Sequence, residues 1–115
     1  MTRVFVSVGS NQQAWKYVPM ALAAIKSEFS PVAVSPVYES VAVGFDGENF
    51  LNLVLGFDTG LSLSELADIL DQIEQSCGRK RGEERFTSRT MDLDLLTYGD
   101  FVSDLFHGHD KELSY

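Results

Sequence analysis

Residues 50–57 constrain the fold more than any other segment, because they form an almost continuous apolar run. Such a run predicts a central β-strand that is covered on at least part of both faces. The preceding residues 32–43, rich in Val, Ser and Tyr, predict a second extended strand that Pro36 interrupts locally. The chain is therefore expected to build a sheet on which further elements pack.

Two more strands and a helix are indicated by the periodicity of other segments. Residues 2–8 and 90–98 alternate between apolar and polar side chains, which is typical of half-buried strands. Residues 14–29 place their apolar side chains on one helical face, and Pro31 is expected to end that helix. Between the first strand and this helix, residues 9–11 (Gly-Ser-Asn) predict a turn.

A capping motif predicts the start of a second helix. Ser62 is expected to be the N-cap residue, and Glu65 the N3 residue, of a capping box. Gly78 is well placed for the left-handed residue that follows a helix. Between these ends the apolar residues recur at helical spacing: Leu63, Leu66, Ile69, Leu70 and Ile73. The sequence therefore predicts an amphipathic helix that ends directly before a basic segment.

The predicted elements follow the order β-α-β-β-α-β over a single domain, residues 1–115. That order is the ferredoxin-like, or split βαβ, arrangement. It is an α+β fold in which a four-stranded antiparallel sheet carries two helices on one face. A turn is predicted at residues 99–100, and residues 101–115 carry only a weak pattern. A chain of this length suits one compact domain, and no repeat or linker divides it.

Several classes of protein do not fit the composition. No apolar run reaches the roughly 18–20 residues of a membrane span, and the N-terminus lacks the features of a signal peptide. Cys77 is the only cysteine, so no intrachain disulfide forms and a cytoplasmic location is expected. The net charge of -8 argues against nucleic acid or an anionic membrane as a partner.

The basic residues are nevertheless concentrated in one short segment. Five of the nine lysines and arginines lie between residues 79 and 89. An acidic chain that gathers its cations in this way is expected to use them on a local anion. The planar guanidinium of arginine donates paired hydrogen bonds to phosphate. The alternative, which the residues leave open, is a solvated loop whose arginines pair with Glu83 and Glu84.

Two aspartates follow this basic segment on the last predicted strand. Because side chains alternate along a strand, Asp92 and Asp94 are expected on one face and Met91, Leu93 and Leu95 on the other. Their α-carbons are then about 7 Å apart, and paired carboxylates suit Mg²⁺. The alternative is an amphipathic strand whose polar face lies in solvent. With the basic segment, the pair indicates a phosphate-handling site, and no Walker A motif is present to indicate a P-loop.

Other residues allow more than one interpretation. Phe50 and Asn52 fall on one face of a strand, where the amide suits the edge of a heterocycle. Alternatively, Phe50 belongs to the core and Asn52 caps the end of the strand. His107 and His109 either contact phosphate or metal or are simply solvated. Glu74 opposes the dipole near the end of the second helix, which hints at a contact with a ligand.

These residues belong to a longer series of motifs. Residues 89–95 read Arg-Thr-Met-Asp-Leu-Asp-Leu, with the two aspartates alternating with hydrophobic residues. The other motifs, in chain order, are Gly9-Ser10-Asn11, Tyr38-Glu39-Ser40 with Gly44, Phe50-Leu51-Asn52, and Glu74 with Gly78-Arg79-Lys80-Arg81. This series resembles the 6-hydroxymethyl-7,8-dihydropterin pyrophosphokinase family over nearly the whole chain. The resemblance also implies a ferredoxin-like fold.

The resemblance implies an activity and a set of site residues. The activity is transfer of pyrophosphate from ATP to the hydroxymethyl group of the pterin, a step of folate biosynthesis that releases AMP. Asp92 and Asp94 match the residues that hold two Mg²⁺ ions, and Arg79 and Arg89 match phosphate-contacting catalytic residues. The ATP side is implied to comprise Glu74, Arg79, Arg85, Arg89, Leu95 and His109, and the pterin side Ser40, Val41, Val43, Phe50 and Asn52. Residues 79–88 match a loop that closes over the substrates.

The chain departs from the family pattern at several positions. Val41 stands where the family usually has proline, Phe86 where it often has tryptophan, and Asp71 where glutamine is common. Family members continue past the region of His109, whereas this chain stops at Tyr115, so a divergent, C-terminally truncated domain is expected. The expected partners are ATP and hydroxymethyldihydropterin. A monomer is expected for the family, with self-association as the alternative for a short form. The second hypothesis for function is a non-catalytic relative that binds nucleotide or only itself.

Overall fold

The computed structural model describes residues 1–40, 49–78 and 91–103 of the chain. In these residues it contains six strands and two helices. The strands are β1 (Thr2–Ser10), β2 (Ala33–Val34), β3 (Tyr38–Ser40), β4 (Phe50–Thr59), β5 (Asp92–Tyr98) and β6 (Phe101–Val102). The helices are α1 (Ala14–Glu28) and α2 (Leu63–Ser76). Neither of these two helices combines the length and the apolar character that spanning a membrane requires.

The six strands form one antiparallel sheet with β1 at its centre. The strand order is β2-β4-β1-β5-β6, and β3 pairs with β4 beside β2. The register places Gly9 of β1 opposite Asn52 of β4 on one side and opposite Asp92 of β5 on the other. Directly opposite side chains of an antiparallel pair point to the same side of the sheet. These three positions therefore form one cross-strand row.

Both helices pack on one face of the sheet, where the core lies. Phe57 of β4 stacks on Phe29 at the end of α1, with 4.2 Å between the ring centroids. A single hydrophobic cluster contains alternate residues of the strands and the buried residues of both helices, including Val4, Val6, Val8, Ala21, Ile25, Leu53, Leu55, Leu66, Leu70, Met91 and Leu93. We call the opposite face of the sheet the open face. It carries Phe5, Ser7, Gly9, Phe50, Asn52, Val54, Asp92 and Asp94.

The two ends of α2 form as the sequence predicts. The Ser62 hydroxyl accepts a hydrogen bond from the Glu65 N–H at 3.1 Å, and the Glu65 carboxylate accepts one from the Ser62 N–H at 2.9 Å. At the other end Gly78 has a φ of 85° and its N–H donates to the Gln75 carbonyl at 3.1 Å. These bonds satisfy backbone groups that a helix leaves unpaired at its ends. Cys77 is buried here, and burial raises the pKa of its thiol.

The α+β class and the two helices are confirmed, whereas the four-stranded ferredoxin-like sheet is not. The predicted strand at residues 32–43 contains two short strands, β2 and β3, on either side of Pro36, because proline cannot donate to a ladder. A further short strand, β6, follows the turn at Gly99, whose φ of 57° favours glycine. The predicted turn is wrong for Gly9 and Ser10, which continue β1 because they pair with β4.

Candidate active site

Asp92 and Asp94 lie side by side on the open face of β5. Both are half-buried, while Leu93 between them is buried in the core on the other face. The alternation predicted from the sequence is therefore confirmed. Residues two apart on a strand are about 7 Å apart at their α-carbons, so the two carboxylates can face one ligand without an intervening side chain.

The neighbouring positions of β1 carry little or no side chain. Ser7 lies opposite Asp94, and Gly9 lies opposite Asp92. A β-carbon added at Gly9 would lie 3.2 Å from Oδ1 of Asn52, which is a tight contact. The prediction of a turn at Gly9 obscures its place in this site. Glycine inside an alternating strand often marks the close approach of another group. Read as a continuation of the first strand, Gly9 would have been recognised as a residue of this site.

Beyond Gly9 the same row continues to Asn52 on β4 and to Tyr38 on β3. Neighbouring strands are about 5 Å apart, so the α-carbons of Asn52 and Asp92 are separated by about 10 Å with Gly9 between them. Tyr38 has 60% of its surface exposed. It belongs to one of the sequence motifs but not to the predicted site residues, and it adds an aromatic ring to the row. The row thus offers an aromatic ring and an amide at one end and a carboxylate at the other, and Gly9 adds no side chain of its own between amide and carboxylate.

Phe50 lies two residues before Asn52 on the same strand and is half-buried. Its neighbours Leu51 and Leu53 belong to the hydrophobic cluster, and Phe50 does not. The interpretation of Phe50 as a core residue is therefore wrong. Asn52 lies within β4 rather than at its end, so the alternative in which it caps the strand is wrong as well.

Glu74 connects α2 to the strand that carries the aspartates. Its side chain is buried, and its Oε2 atom accepts a hydrogen bond from the Leu93 N–H at 2.7 Å. That length is typical of a hydrogen bond to a charged acceptor. A buried carboxylate requires such compensation, because its transfer out of water is otherwise costly. Glu74 is thus bonded to the backbone between Asp92 and Asp94.

The other predicted site residues fall into two groups. Leu95 is half-buried on β5 and packs against the hydrophobic cluster, and Ser40 pairs with Phe50 through the backbone of β3. The second group lies outside the described residues and comprises Val41, Val43, Arg79, Arg85, Arg89 and His109. The structure therefore brings Asn52, Asp92 and Asp94 onto one face, and the roles assigned to the individual residues stay predictions.

The donor set around Asp92 and Asp94 favours a particular kind of metal binding. In the described ranges no group of three or more His, Cys, Asp or Glu side chains is close enough to hold a metal ion. A closed structural site, which needs about four protein ligands, is thus not formed by these residues. Mg²⁺ commonly takes one or two carboxylates from the protein and its remaining ligands from water and phosphate. The pair therefore fits a cation that binds together with a phosphorylated ligand.

A cavity of about 370 Å³ lies beside the first turn of α1. Its lining residues are Gln13, Ala14, Trp15, Lys16, Glu39, Asn49 and Leu51. Neither Asp92 nor Asp94 lines it, so this cavity is distinct from the acidic pair.

The fold and the site together define an α+β protein that carries an amide and an acidic pair on the open face of an antiparallel sheet. Comparison with known proteins places it more narrowly. The family described as 7,8-dihydro-6-hydroxymethylpterin-pyrophosphokinase (HPPK) has a sequence model that matches residues 5–113. The chain belongs to this family, as the resemblance of its motifs predicts.

Several relatives named 2-amino-4-hydroxy-6-hydroxymethyldihydropteridine pyrophosphokinase are similar to this chain. The protein of Pseudomonas aeruginosa is 40% identical over 107 residues, which are 90% of this chain and 65% of the relative. The protein of Aquifex aeolicus is 37% identical over 106 residues, 89% of this chain and 64% of the relative. The protein of Bacillus subtilis is 33% identical over 98 residues, which are 82% of this chain and 58% of the relative. The chain thus spans less than two thirds of the length of these relatives.

Proposed function

We propose that this chain carries a pyrophosphoryl-transfer site, and that the transfer runs from ATP to the hydroxymethyl group of 6-hydroxymethyl-7,8-dihydropterin. The observation that carries the proposal is the row of Asn52, Gly9 and Asp92 on the open face, with Asp94 beside it. Membership of the family and the names of the relatives support the choice of substrates. The class of reaction agrees with the chemistry of the row, which has an amide for a heterocycle at one end and carboxylates at the other.

In this proposal Asp92 and Asp94 hold Mg²⁺, with two ions expected from the family. The bound cation would neutralise phosphate charge and polarise the β-phosphorus of ATP. The contribution of the protein is the placement of both carboxylates on one face of a strand whose other face is anchored in the core. Fixed ligands of this kind do not have to reorganise during the reaction, which is the main advantage of an enzyme site over water.

Arginines complete the phosphate side of the proposal. Arg79, Arg85 and Arg89 belong to the basic segment that lies between α2 and β5 in the sequence, and we assign them to the ATP phosphates. Guanidinium groups stay charged and donate paired hydrogen bonds to phosphate oxygens. They would take up charge that develops on those oxygens in the transition state. Leu95 and His109 remain predictions for direct contact with the nucleotide, and Glu74 is proposed to act on the nucleotide side through the β5 backbone to which it is bonded.

The pterin is assigned to the other end of the row. The Asn52 amide offers both a donor and an acceptor to the edge of a heterocycle, and the half-buried ring of Phe50 lies two residues away on the same strand. Gly9, between this end and the acidic pair, has no side chain of its own, and the Asn52 amide lies against it. Ser40, Val41 and Val43 are proposed to complete the pterin side.

The proposed step requires little covalent help from the protein. The hydroxymethyl oxygen of the pterin attacks the β-phosphorus of ATP and forms a new P–O bond. The bond between that phosphorus and the oxygen bridging to the α-phosphorus breaks, AMP leaves with the electron pair, and the hydroxyl proton passes to solvent. Positioning of two substrates in line on one face is the main effect expected in such chemistry.

The test is the formation of AMP from ATP in the presence and absence of hydroxymethyldihydropterin. We expect AMP formation to depend on the pterin and to fall about 100-fold or more in Asp94→Asn, because removal of one preorganised charge contact has effects of that size. Asp58→Asn is the matched control. Asp58 lies on β4 of the same sheet, where it pairs with Arg3 at 3.5 Å, and its replacement should leave the rate unchanged.

The same assay separates the proposed function from the alternative. A chain that binds ATP and Mg²⁺ but forms no pterin-dependent AMP would contradict pyrophosphoryl transfer. That result would support a non-catalytic relative that binds nucleotide.

A further inference from the structure

Glu74 is a buried acidic residue at a position where a helix disfavours one. Its side chain is only 7% exposed, and it lies in the last turn of α2. The helix macrodipole opposes a negative charge there, and burial of a carboxylate adds a desolvation cost. The other buried residues of this helix are Leu66, Leu70 and Ile73, so an apolar residue would suit the same face. The carboxylate must therefore be retained for a contact that an apolar side chain cannot make.

The contact is with the backbone of β5. The Leu93 N–H donates to Oε2 of Glu74 at 2.7 Å. In the described residues β6 pairs only with Thr97 and Tyr98, so it does not extend along β5 as far as Leu93. A backbone N–H at such an edge requires an acceptor, and Glu74 supplies one from the helix. The bond joins residues nineteen apart in the chain.

We propose that Glu74 is a positioning residue for the acidic pair, because it fixes the β5 backbone between Asp92 and Asp94. The side chains of adjacent strand residues point to opposite faces. A bond at the Leu93 N–H, together with the buried Leu93 side chain, therefore sets the directions in which the two aspartates leave the strand. This inference rests on the proposed function, since it specifies how that site holds its carboxylates.

A positioning role and a charge role for Glu74 make opposite demands on the side chain. A positioning role needs an acceptor oxygen at the full length of the glutamate side chain, with or without a negative charge. A direct role toward a cation or a nucleotide needs the negative charge itself. Glu74→Gln keeps the length and an acceptor but loses the charge. Glu74→Asp keeps the charge but is shorter by one methylene group.

The experiment is a calorimetric titration of the 115-residue chain with Mg²⁺ and α,β-methylene ATP. This analogue cannot be cleaved at the bond that the proposed reaction breaks. We expect Glu74→Gln to bind it within about threefold of the wild type. Glu74→Asp should bind it about tenfold or more weakly, which is the effect usual for residues that orient metal ligands. The reverse order of the two variants would overturn the positioning role.

A matched control separates positioning from a general loss of stability. Thr59 is 3% exposed, lies at the far end of β4, and its Oγ1 accepts a hydrogen bond from the Leu61 N–H at 3.1 Å. Thr59→Val removes a partly buried hydrogen bond from a backbone N–H to a side chain, at a distance from the aspartates. We expect it to lower the urea midpoint about as much as Glu74→Asp while leaving nucleotide affinity unchanged. Equal weakening of binding in both variants would overturn the proposal.

A measurement on the wild type keeps the proposal testable if Glu74→Asp does not fold. The Leu93 amide proton should exchange as slowly as amides paired between β1 and β4, and rapid exchange would overturn the bond and the role derived from it. Failure of the proposed function has a different signature. A wild type that binds neither Mg²⁺ nor the analogue would overturn the function and with it the role of Glu74. If the wild type binds the analogue and Glu74→Asp binds it with the same affinity, only the positioning role of Glu74 is overturned.

Discussion

At the scale of a single residue, Gly9 makes room for the Asn52 amide on the open face. It lies between Asn52 and Asp92 in one cross-strand row, and every other amino acid would place a β-carbon against the Asn52 amide. Its role is steric, because nothing in its own backbone conformation demands glycine in a strand interior. Glycine in a strand costs conformational entropy on folding. In return, it lets the Asn52 amide lie against the β1 backbone.

Gly9→Ala is expected to weaken pterin binding more than nucleotide binding. The added methyl group would lie 3.2 Å from Oδ1 of Asn52 and would displace that amide. We expect the KM for the pterin to rise about tenfold, equivalent to about 1.4 kcal/mol, with a smaller change in the Kd of α,β-methylene ATP. Gly60→Ala is the control, since among the described residues its β-carbon would meet Met1 Sδ at 3.6 Å, an ordinary van der Waals contact. An unchanged KM in Gly9→Ala would contradict the assignment of Asn52.

At the scale of an element, α2 supports β5 at two points. Near the C-terminal end of the helix, Glu74 accepts from the Leu93 N–H. Before its N-terminal end, the Leu61 carbonyl accepts a hydrogen bond from the Tyr98 hydroxyl at 2.6 Å. The two bonds lie near opposite ends of the strand. The start of α2 is defined by its capping box, so the capping residues contribute to the support of β5.

Ser62→Ala is expected to destabilise the fold by about 1 kcal/mol, as removal of an N-cap side chain usually does. The Ser62 hydroxyl satisfies the Glu65 N–H, which alanine would leave without this acceptor. Urea unfolding followed by circular dichroism measures the change. Ser64→Ala, a change at an exposed position in the first turn of the same helix, is the control and should shift the midpoint much less.

The Glu65 carboxylate, the second partner of the capping box, predicts that the stability of the fold depends on pH. The hydrogen bond from the Ser62 N–H, and then that from the Ser62 hydroxyl, lower the pKa of the Glu65 carboxyl below its ordinary value. A lowered pKa in the folded state contributes stability that is present above the unfolded pKa and lost as the pH falls through the folded pKa. The wild-type urea midpoint should therefore decline relative to that of Glu65→Gln in acid. If the difference in urea midpoint between the wild type and Glu65→Gln stays constant as the pH falls, the predicted contribution of the Glu65 carboxylate is contradicted.

At the scale of the whole molecule, the two faces of the sheet contribute unequally to stability. Phe57 is fully buried on the helix side and stacks on Phe29, so it joins the sheet to α1. Phe5 is 39% exposed on the open face, where its ring lies over Gly56 and 5.5 Å from the Arg3 guanidinium carbon. Two phenylalanines on neighbouring strands therefore have very different surroundings.

Phe57→Ala is expected to cost about 3–5 kcal/mol, because it leaves a cavity in the core. That is a large part of the roughly 5–15 kcal/mol that stabilises a typical domain. Phe5→Ala is the matched control and should cost about 1 kcal/mol, since much of its ring already contacts water. Chemical denaturation of both variants gives the comparison. Equal losses would show that the core does not lie on the helix side of the sheet.

Local signals in the sequence were sufficient for much of the fold and part of the site. Alternation over residues 90–98 predicted the strand and the common face of Asp92 and Asp94, because side-chain direction in a strand depends only on position. The Ser62 capping box and Gly78 predicted both ends of α2, because helix ends are satisfied by residues within one turn. The strand boundaries at Pro36 were less predictable, since pairing with β4 decided where β2 and β3 form.

The sequence by itself therefore determined which residues form the two helices, which face of β5 carries the aspartates, and to which family the motifs belong. Only the tertiary structure decided what lies next to them. The pairing of β1 between β4 and β5 brings Gly9, Asn52 and Asp92 into one row, and the packing of α2 brings Glu74 to Leu93. Periodicity and capping act over a few residues, whereas strand register and helix packing join residues far apart in the chain. These contacts follow from burial of the whole core rather than from any local pattern.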